Sequence, residues 1–225
     1  MLRTYMTIAD LHIHTTYSHD SVIDPEQLYK VAKGLNLDLI CITDHNIFEE
    51  SVGIESIQNP GQKPLVIKGV ELATDFGEML VFGLKDNFWK RTIKGLDVLP
   101  SAKKILNEIE NFGGVAIWAH PFRHYSATHY GTDLKKFEQI KIIEALNGNN
   151  NDSENLLAMN YAKQNKYQTV GGSDAHTLKD VGKCLTLFKE NISCESDLIS
   201  ALKESKYMPI SYSEFKSKEL EKIIK

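Results

Sequence analysis

Six short apolar runs in this chain each end in a cluster of histidine, aspartate, glutamate or their polar neighbours. No other feature constrains the fold as strongly. The clusters read "HIH", "TDHN", "GVEL", "AHPFR", "EALNG" and "GGSDAH" in chain order. Near-continuous runs such as "LDLICIT" and "GVAIWA" suit strands covered on both faces. Helical patterns fill the intervals, which argues for an α/β fold with a mostly parallel sheet. Strands are predicted at about Met6–His12, Asp38–Thr43, Leu65–Val70, Met79–Gly83, Val115–Ala119, Ile140–Ala145 and Gln168–Gly171, with Cys184–Phe188 as a weaker eighth. In a β/α barrel, reactive residues gather at the C-terminal ends of several strands, which is where these clusters lie.

The helices carry start and stop signals. Asp24-Pro25 sets an N-cap before proline at the first helical position. Ser101 can cap "AKKILNEIENF", which Gly113-Gly114 ends. Asp152 or Ser153 can cap "ENLLAMNYAKQN", and the tail from Ser211 reads as a last amphipathic helix. There is no internal repeat, low-complexity tract or long linker, so residues 1–225 are expected to form one domain.

Composition narrows the function. An apolar fraction of 42% supports a full core, and a net charge of −4 makes a nucleic-acid partner unexpected. No apolar run approaches the ~18 residues of a membrane span, and the first residues lack a signal-peptide pattern. Cys41, Cys184 and Cys194 are odd in number and far apart. That usage suggests a reduced, cytoplasmic setting without a disulfide frame. The oligomeric state is not legible.

The clusters suit metal ions. His12 and His14 are two apart on a strand, so both imidazoles share a face and can reach one ion. Asp10 shares that face and could orient a ligating imidazole. Asp44-His45 and Asp174-Ala175-His176 repeat the pairing of carboxylate and imidazole. Glu71 stands at a strand mouth, where its carboxylate can bridge two cations. His120 ends the apolar strand "GVAIWA". All candidate donors are nitrogen or oxygen, which suits Zn, Mn or Fe better than a thiolate zinc site. Grouped cations with open positions activate water and clamp phosphoryl oxygens.

The stretches "DLHIHTTYS", "ITDHN", "GVE", "AHP" and "GGSDAH" follow in the order of the motifs of the PHP (polymerase and histidinol phosphatase) family, which the chain resembles over essentially its whole length. The resemblance implies a distorted (β/α)7 TIM-like barrel with two or three divalent ions. It implies that His12, His14, Glu71 and Asp174 hold the first ion. Glu71 and His120 would hold a second, and His45 and His176 a third with a ligand from the end of the first motif. Catalysis would then run through Asp174, His120 and Glu71.

Two departures bear on the ligands. Family members often read "SDG" where this chain has Ser18-His19-Asp20, and others place a histidine one position later. That later position is Asp20 here, so Asp20 is preferred to His19. Relatives often carry a histidine near "GEMLVFGL"; here Glu78 is the nearest substitute, as a ligand or beside one, with Asp44 a further candidate. Arg123 has the fork geometry for a substrate phosphate. His124 and Asn147 are further candidate substrate contacts, and Glu144 pairs with Asn147 in "EALNG".

The activity expected is metal-dependent hydrolysis of small phosphomonoesters, with histidinol-phosphate-like or phosphotyrosine-like substrates as variants. An amidohydrolase-type C–N hydrolase and a non-catalytic metal-binding module are the alternatives from other classes.

Overall fold

In the computed structural model, residues 7–46, 61–84, 99–123, 137–204 and 206–217 are described. His124 and the tail beyond residue 217 lie outside them. Among the described residues, ten strands form two five-stranded sheets. In the first, β1 (Thr7–Ile13) lies parallel to β2 (Leu39–Ile42), which lies parallel to β3 (Leu65–Lys68). Its other edge is antiparallel, through β9 (Cys184–Phe188) and β10 (Tyr207–Ser211). The second sheet runs β4 (Val70–Thr74), β5 (Gly77–Phe82), β6 (Val115–Trp118), β7 (Ile142–Asn147), β8 (Gln168–Gly172). Its β4–β5–β6 half is antiparallel and its β6–β7–β8 half parallel.

A mixed α/β fold is therefore observed, but the ladders are not mostly parallel. Among the described residues they do not close into one seven-stranded barrel. Two local causes account for this. The chain changes sheets at Gly69, so the single expected strand Leu65–Val70 is two strands, and Glu71 lies inside β4 rather than past a strand end. A side chain at Gly69 would meet the Phe82 ring at 2.6 Å, so glycine permits the crossing. Next, β4 and β5 are joined by a tight turn at Asp75-Phe76, with Gly77 at φ 98°. A two-residue connection can only produce antiparallel neighbours.

The sheets meet through isolated bridges, Ile13 at the end of β1 with Ala175 past β8, and His45 past β2 with Glu71 early in β4. Asp174 N–H donates to His12 C=O at 2.7 Å, and Glu71 N–H donates to Thr43 C=O at 3.2 Å. Between the sheets lies an interior cluster of Leu11, Leu39, Leu80, Phe82, Ile117 and Phe188.

Helices cover the outer faces. Asp24 caps α1 (Pro25–Gly34) by accepting from Gln27 N–H. Ser101 precedes α2 (Ala102–Asn111), yet its side chain makes no capping bond; the Asp75 carboxylate takes the Ala102 N–H at 2.7 Å instead. For α3 (Asp152–Asn165) the cap is Asn151, not Asp152 or Ser153. Asn151 and Glu154 form a reciprocal capping box that satisfies two backbone donors at once. A fourth helix, α4 (Glu195–Glu204), packs Leu198 and Leu202 against the interior. β10 is absent from the predicted strands; it contains Pro209, which an edge strand tolerates. The predicted tail helix is present over 212–217.

All three cysteines are free. No helix among the described residues is long and apolar enough to cross a membrane. Phe82 is fully buried at the centre of the interior cluster. Phe82→Ala should lower unfolding stability by about 3–5 kcal/mol, read from the urea midpoint at unchanged slope.

Candidate metal centre

The seam between the sheets gathers the histidines. His12 is on β1 and His14 just past it; both are fully buried, as is Glu71 on β4, and Asp174 just beyond β8 is nearly so. His12 Nε2 lies 3.0 Å from His14 Nε2. Each of these nitrogens lies 3.2 Å from Glu71 Oε2. Asp174 Oδ1 is 3.4 Å from His12 Nε2 and 3.2 Å from His14 Nε2. Zinc bonds of about 2.0–2.1 Å in a tetrahedron separate neighbouring ligand atoms by about 3.3–3.4 Å. Four atoms from three strands thus already outline a cage of that size.

The second oxygen of Glu71 faces elsewhere. Oε1 is 2.9 Å from His120 Nε2, which is itself 3.7 Å from Glu78 Oε2. His45 Nδ1 is 3.1 Å from Glu71 Oε2. A third cluster lies nearer solvent, where Asp20 Oδ2 is 3.2 Å from both His45 Nε2 and His176 Nε2. The His14 ring stacks against those of both His45 and His176, at 4.4 and 4.3 Å. His19 is exposed and meets His45 only ring to ring at 5.7 Å, whereas the adjacent Asp20 reaches both imidazoles.

Hydrogen bonds at the far ring nitrogens determine which nitrogen faces the centre. His12 Nδ1–H can donate to Glu144 Oε1 at 3.0 Å. His176 Nδ1–H can donate to the Asp174 carbonyl at 2.8 Å. Ser18 donates its hydroxyl proton to Asp44 Oδ1 at 2.7 Å, so its oxygen can accept from His14 Nδ1–H at 3.2 Å and from His45 N–H at 3.0 Å. Each arrangement leaves an Nε2 lone pair directed inward. Glu71 Oε2 is buried and has no hydrogen-bond donor, though three imidazole nitrogens surround it. Lone pairs converging on a buried carboxylate oxygen require a cation, so the residues present fit divalent metal.

The electrostatics agree. Burial opposes charging His14, yet Asp174 and Glu71 raise its pKa to about 9, and His12 is raised with it. Burial likewise opposes ionising Glu71 and Asp174, but the histidines hold both carboxyls well below the ordinary range. For Glu78, burial and the nearby Glu71 push the pKa up. His120 and Asp174 have φ of 27° and 52°, a region that side chains other than glycine seldom adopt. Such strain collects at functional sites.

Several expected residues serve as supports. Asp10 orients no imidazole: its carboxylate accepts N–H bonds from Ser173 and Gly182, each at 2.9 Å, because these buried backbone donors need an acceptor. Burial raises its pKa to about 6. Asp44 stands behind a ligand candidate: it accepts from Thr15 N–H, the Thr15 hydroxyl and Ser18, which in turn meets His14 Nδ1. Arg123 pairs with Asp174 Oδ2 and also donates to Asn147 Oδ1 and Asn150 Oδ1. Asn147 is fully buried. Its Nδ2 donates to Glu144 and Asp174, and its Oδ1 accepts from Arg123 and Asn149. That leaves no group for a substrate, so the geometry makes Asn147 a support rather than a contact. Asn149, which no motif signals, donates to the Asp174 carbonyl.

The sequence pattern of the PHP domain matches residues 10–177, most of the chain, and a PHP-associated pattern matches 152–207. The chain belongs to the PHP family. PHP-like folds recur among solved structures. PsfC from Pseudomonas syringae is 21% identical, with a TM-score of 0.69 over 91% of each chain. A two-domain Bacteroides vulgatus protein, described as containing a predicted PHP-like metal-dependent phosphoesterase, is 20% identical. It superposes at TM-score 0.63 over 93% of this chain and 66% of its own. An amidohydrolase from Chromobacterium violaceum is 15% identical, at 0.64 over 89% and 97%. At these identities the likeness establishes the fold alone.

In this PHP domain the raised His14 pKa has a consequence for the metal-free protein. The folded value of about 9 exceeds the ordinary 6.5, so the extra stability is complete below pH 6.5 and is lost as pH rises through 9. The melting temperature of chelator-treated protein should therefore fall across that window. Saturating Zn or Mn should remove the slope, because a coordinated imidazole carries no proton on its ligating nitrogen. Parallel pH–melting curves with and without metal check this.

Proposed function

We propose that this PHP protein is a metal-dependent phosphoesterase that hydrolyses small phosphomonoesters. The observation that carries the reading is Glu71, whose two oxygens face different imidazole clusters and so can join adjacent ion positions. His12, His14, Glu71 and Asp174 would hold one ion. Glu71, His120 and Glu78 would hold a second, and Asp20, His45 and His176 a third. Divalent ions held so close together activate water and neutralise charge on phosphoryl oxygens. The fold likeness to a protein described as containing a predicted metal-dependent phosphoesterase supports this reaction class.

The chain's own residues aim the site. Asp174 turns one oxygen toward His12 and His14 and the other toward Arg123. The guanidinium thus sets the carboxylate's orientation at the rim. The half-exposed Asp20, with His45 and His176, forms the open side through which a small phosphate ester would enter.

Asp174→Asn should abolish phosphomonoester turnover while the circular dichroism spectrum and melting transition persist. Retained turnover would reject the assignment. Asp20→Ala should remove one ion from protein loaded with Mn or Zn, counted by elemental analysis, and His19→Ala should remove none. The fold likeness to an amidohydrolase keeps C–N hydrolysis as the second reading. A panel of phosphomonoesters, amides and lactones, run with Mn, Zn and Fe, separates the two.

A further inference from the structure

Glu144 lies on β7, is fully buried, and belongs to none of the metal-capable clusters among the described residues. Its two oxygens nevertheless serve both halves of the centre. Oε1 is 3.0 Å from His12 Nδ1. Oε2 accepts the His120 backbone N–H at 3.1 Å and the Asn147 amide at 2.8 Å. His120 is the residue held at φ 27°, so this bond helps retain the unusual turn that presents its ring to Glu71. The fit is close. A side chain at Gly172 would stand 2.5 Å from both Glu144 Oε1 and the His12 Cβ.

We propose that Glu144 is the positioning residue that sets the His12 tautomer and, through its other oxygen, fixes the His120 turn, so that one carboxylate prepares two ion positions. This rests on reading His12 and His120 as ligands. The two oxygens are not equivalent. Around Oε2 both partners are committed donors, since a backbone N–H cannot become an acceptor. Asn147 cannot flip either, because its own oxygen accepts from Arg123 and from Asn149 N–H at 2.8 Å each. Around Oε1 the partner is an imidazole, which can exchange donor for acceptor. An amide at position 144 must therefore keep its oxygen toward His120 and Asn147 and direct its NH2 at His12 Nδ1. His12 would respond by accepting at Nδ1 and carrying its proton on Nε2, the nitrogen that faces Glu71, His14 and Asp174.

Glu144→Gln tests this in the full chain, with folding checked by thermal melting. In nitrogen-15 spectra of the histidine rings, recorded on metal-free protein at a pH high enough to leave His12 neutral, the wild-type ring should carry its proton on Nδ1 and the variant ring on Nε2. Calorimetric titration with Zn should show first-ion affinity lowered by about 10- to 100-fold, with the second ion held as in wild type. Glu144→Asp keeps the charge but withdraws the oxygens by one carbon–carbon bond, and should weaken the first ion too. If Glu144→Gln leaves the Nδ1 proton in place, the proposal is overturned, even where affinity falls, because the loss is then one of charge alone. Wild-type affinity in Glu144→Asp also overturns it. If the wild type takes up no Zn or Mn, the phosphoesterase reading fails instead, and the Nδ1 proton still decides what Glu144 does to His12.

Discussion

A buried carboxylate oxygen surrounded by imidazole nitrogens is the constraint on which the rest of this protein depends. Glu71 Oε2 has three such nitrogens within 3.2 Å and no donor. Burying a carboxylate is costly unless positive charge compensates it. The surrounding histidine and carboxylate groups could hold a metal ion that supplies that charge. Glu71 comes from one sheet and His12 from the other, so the site is also the seam. The bonds that join the sheets, from Asp174 N–H to His12 and from Glu71 N–H to Thr43, begin at prospective ligands. Fold and centre are therefore mechanically one object.

Around the ligands lies a second set of groups that decides direction. Glu144, Ser18 and the Asp174 carbonyl each take the outer nitrogen of one histidine. Asp44 in turn anchors Ser18, and Arg123 and Asn147 anchor Asp174. Such supports hold an imidazole to one tautomer and one ring plane, which matters where several lone pairs must meet at one point. They also retain His120 and Asp174 in left-handed backbone, a conformation that the surroundings must over-determine to keep.

Much of this was legible from the chain alone. Period-two spacing placed His12 and His14 on one face, and the ends of apolar runs marked where His45, His120 and Asp174 would gather. Asp24 and Gly113 announced helix ends that the structure contains. Other features had no local signal. The change of sheet at Gly69 leaves the run "LVIKGVELAT" looking continuous, because which sheet a strand joins depends on partners far away. Ser101 sits in a capping position, yet Asp75 from a distant turn makes the bond. Asp10 shares a face with His12, but the nearest unsatisfied donors are backbone groups of another loop.

By itself the sequence determined the chemistry of the centre: nitrogen and oxygen donors, no thiols, delivered mostly at the C-terminal ends of strands, with Glu71 inside β4 the exception. Those properties follow from residue type and from alternation along each strand, which are local. Only the tertiary structure decided which oxygen of Glu71 faces which imidazoles, that Asp20 rather than His19 stands against His45 and His176, and that Asn147 is spent on its neighbours. It also decided that the strands divide between two sheets. These are relations between groups tens to more than a hundred residues apart, set by how the sheets pack, and no local pattern in the chain encodes a distance across that seam.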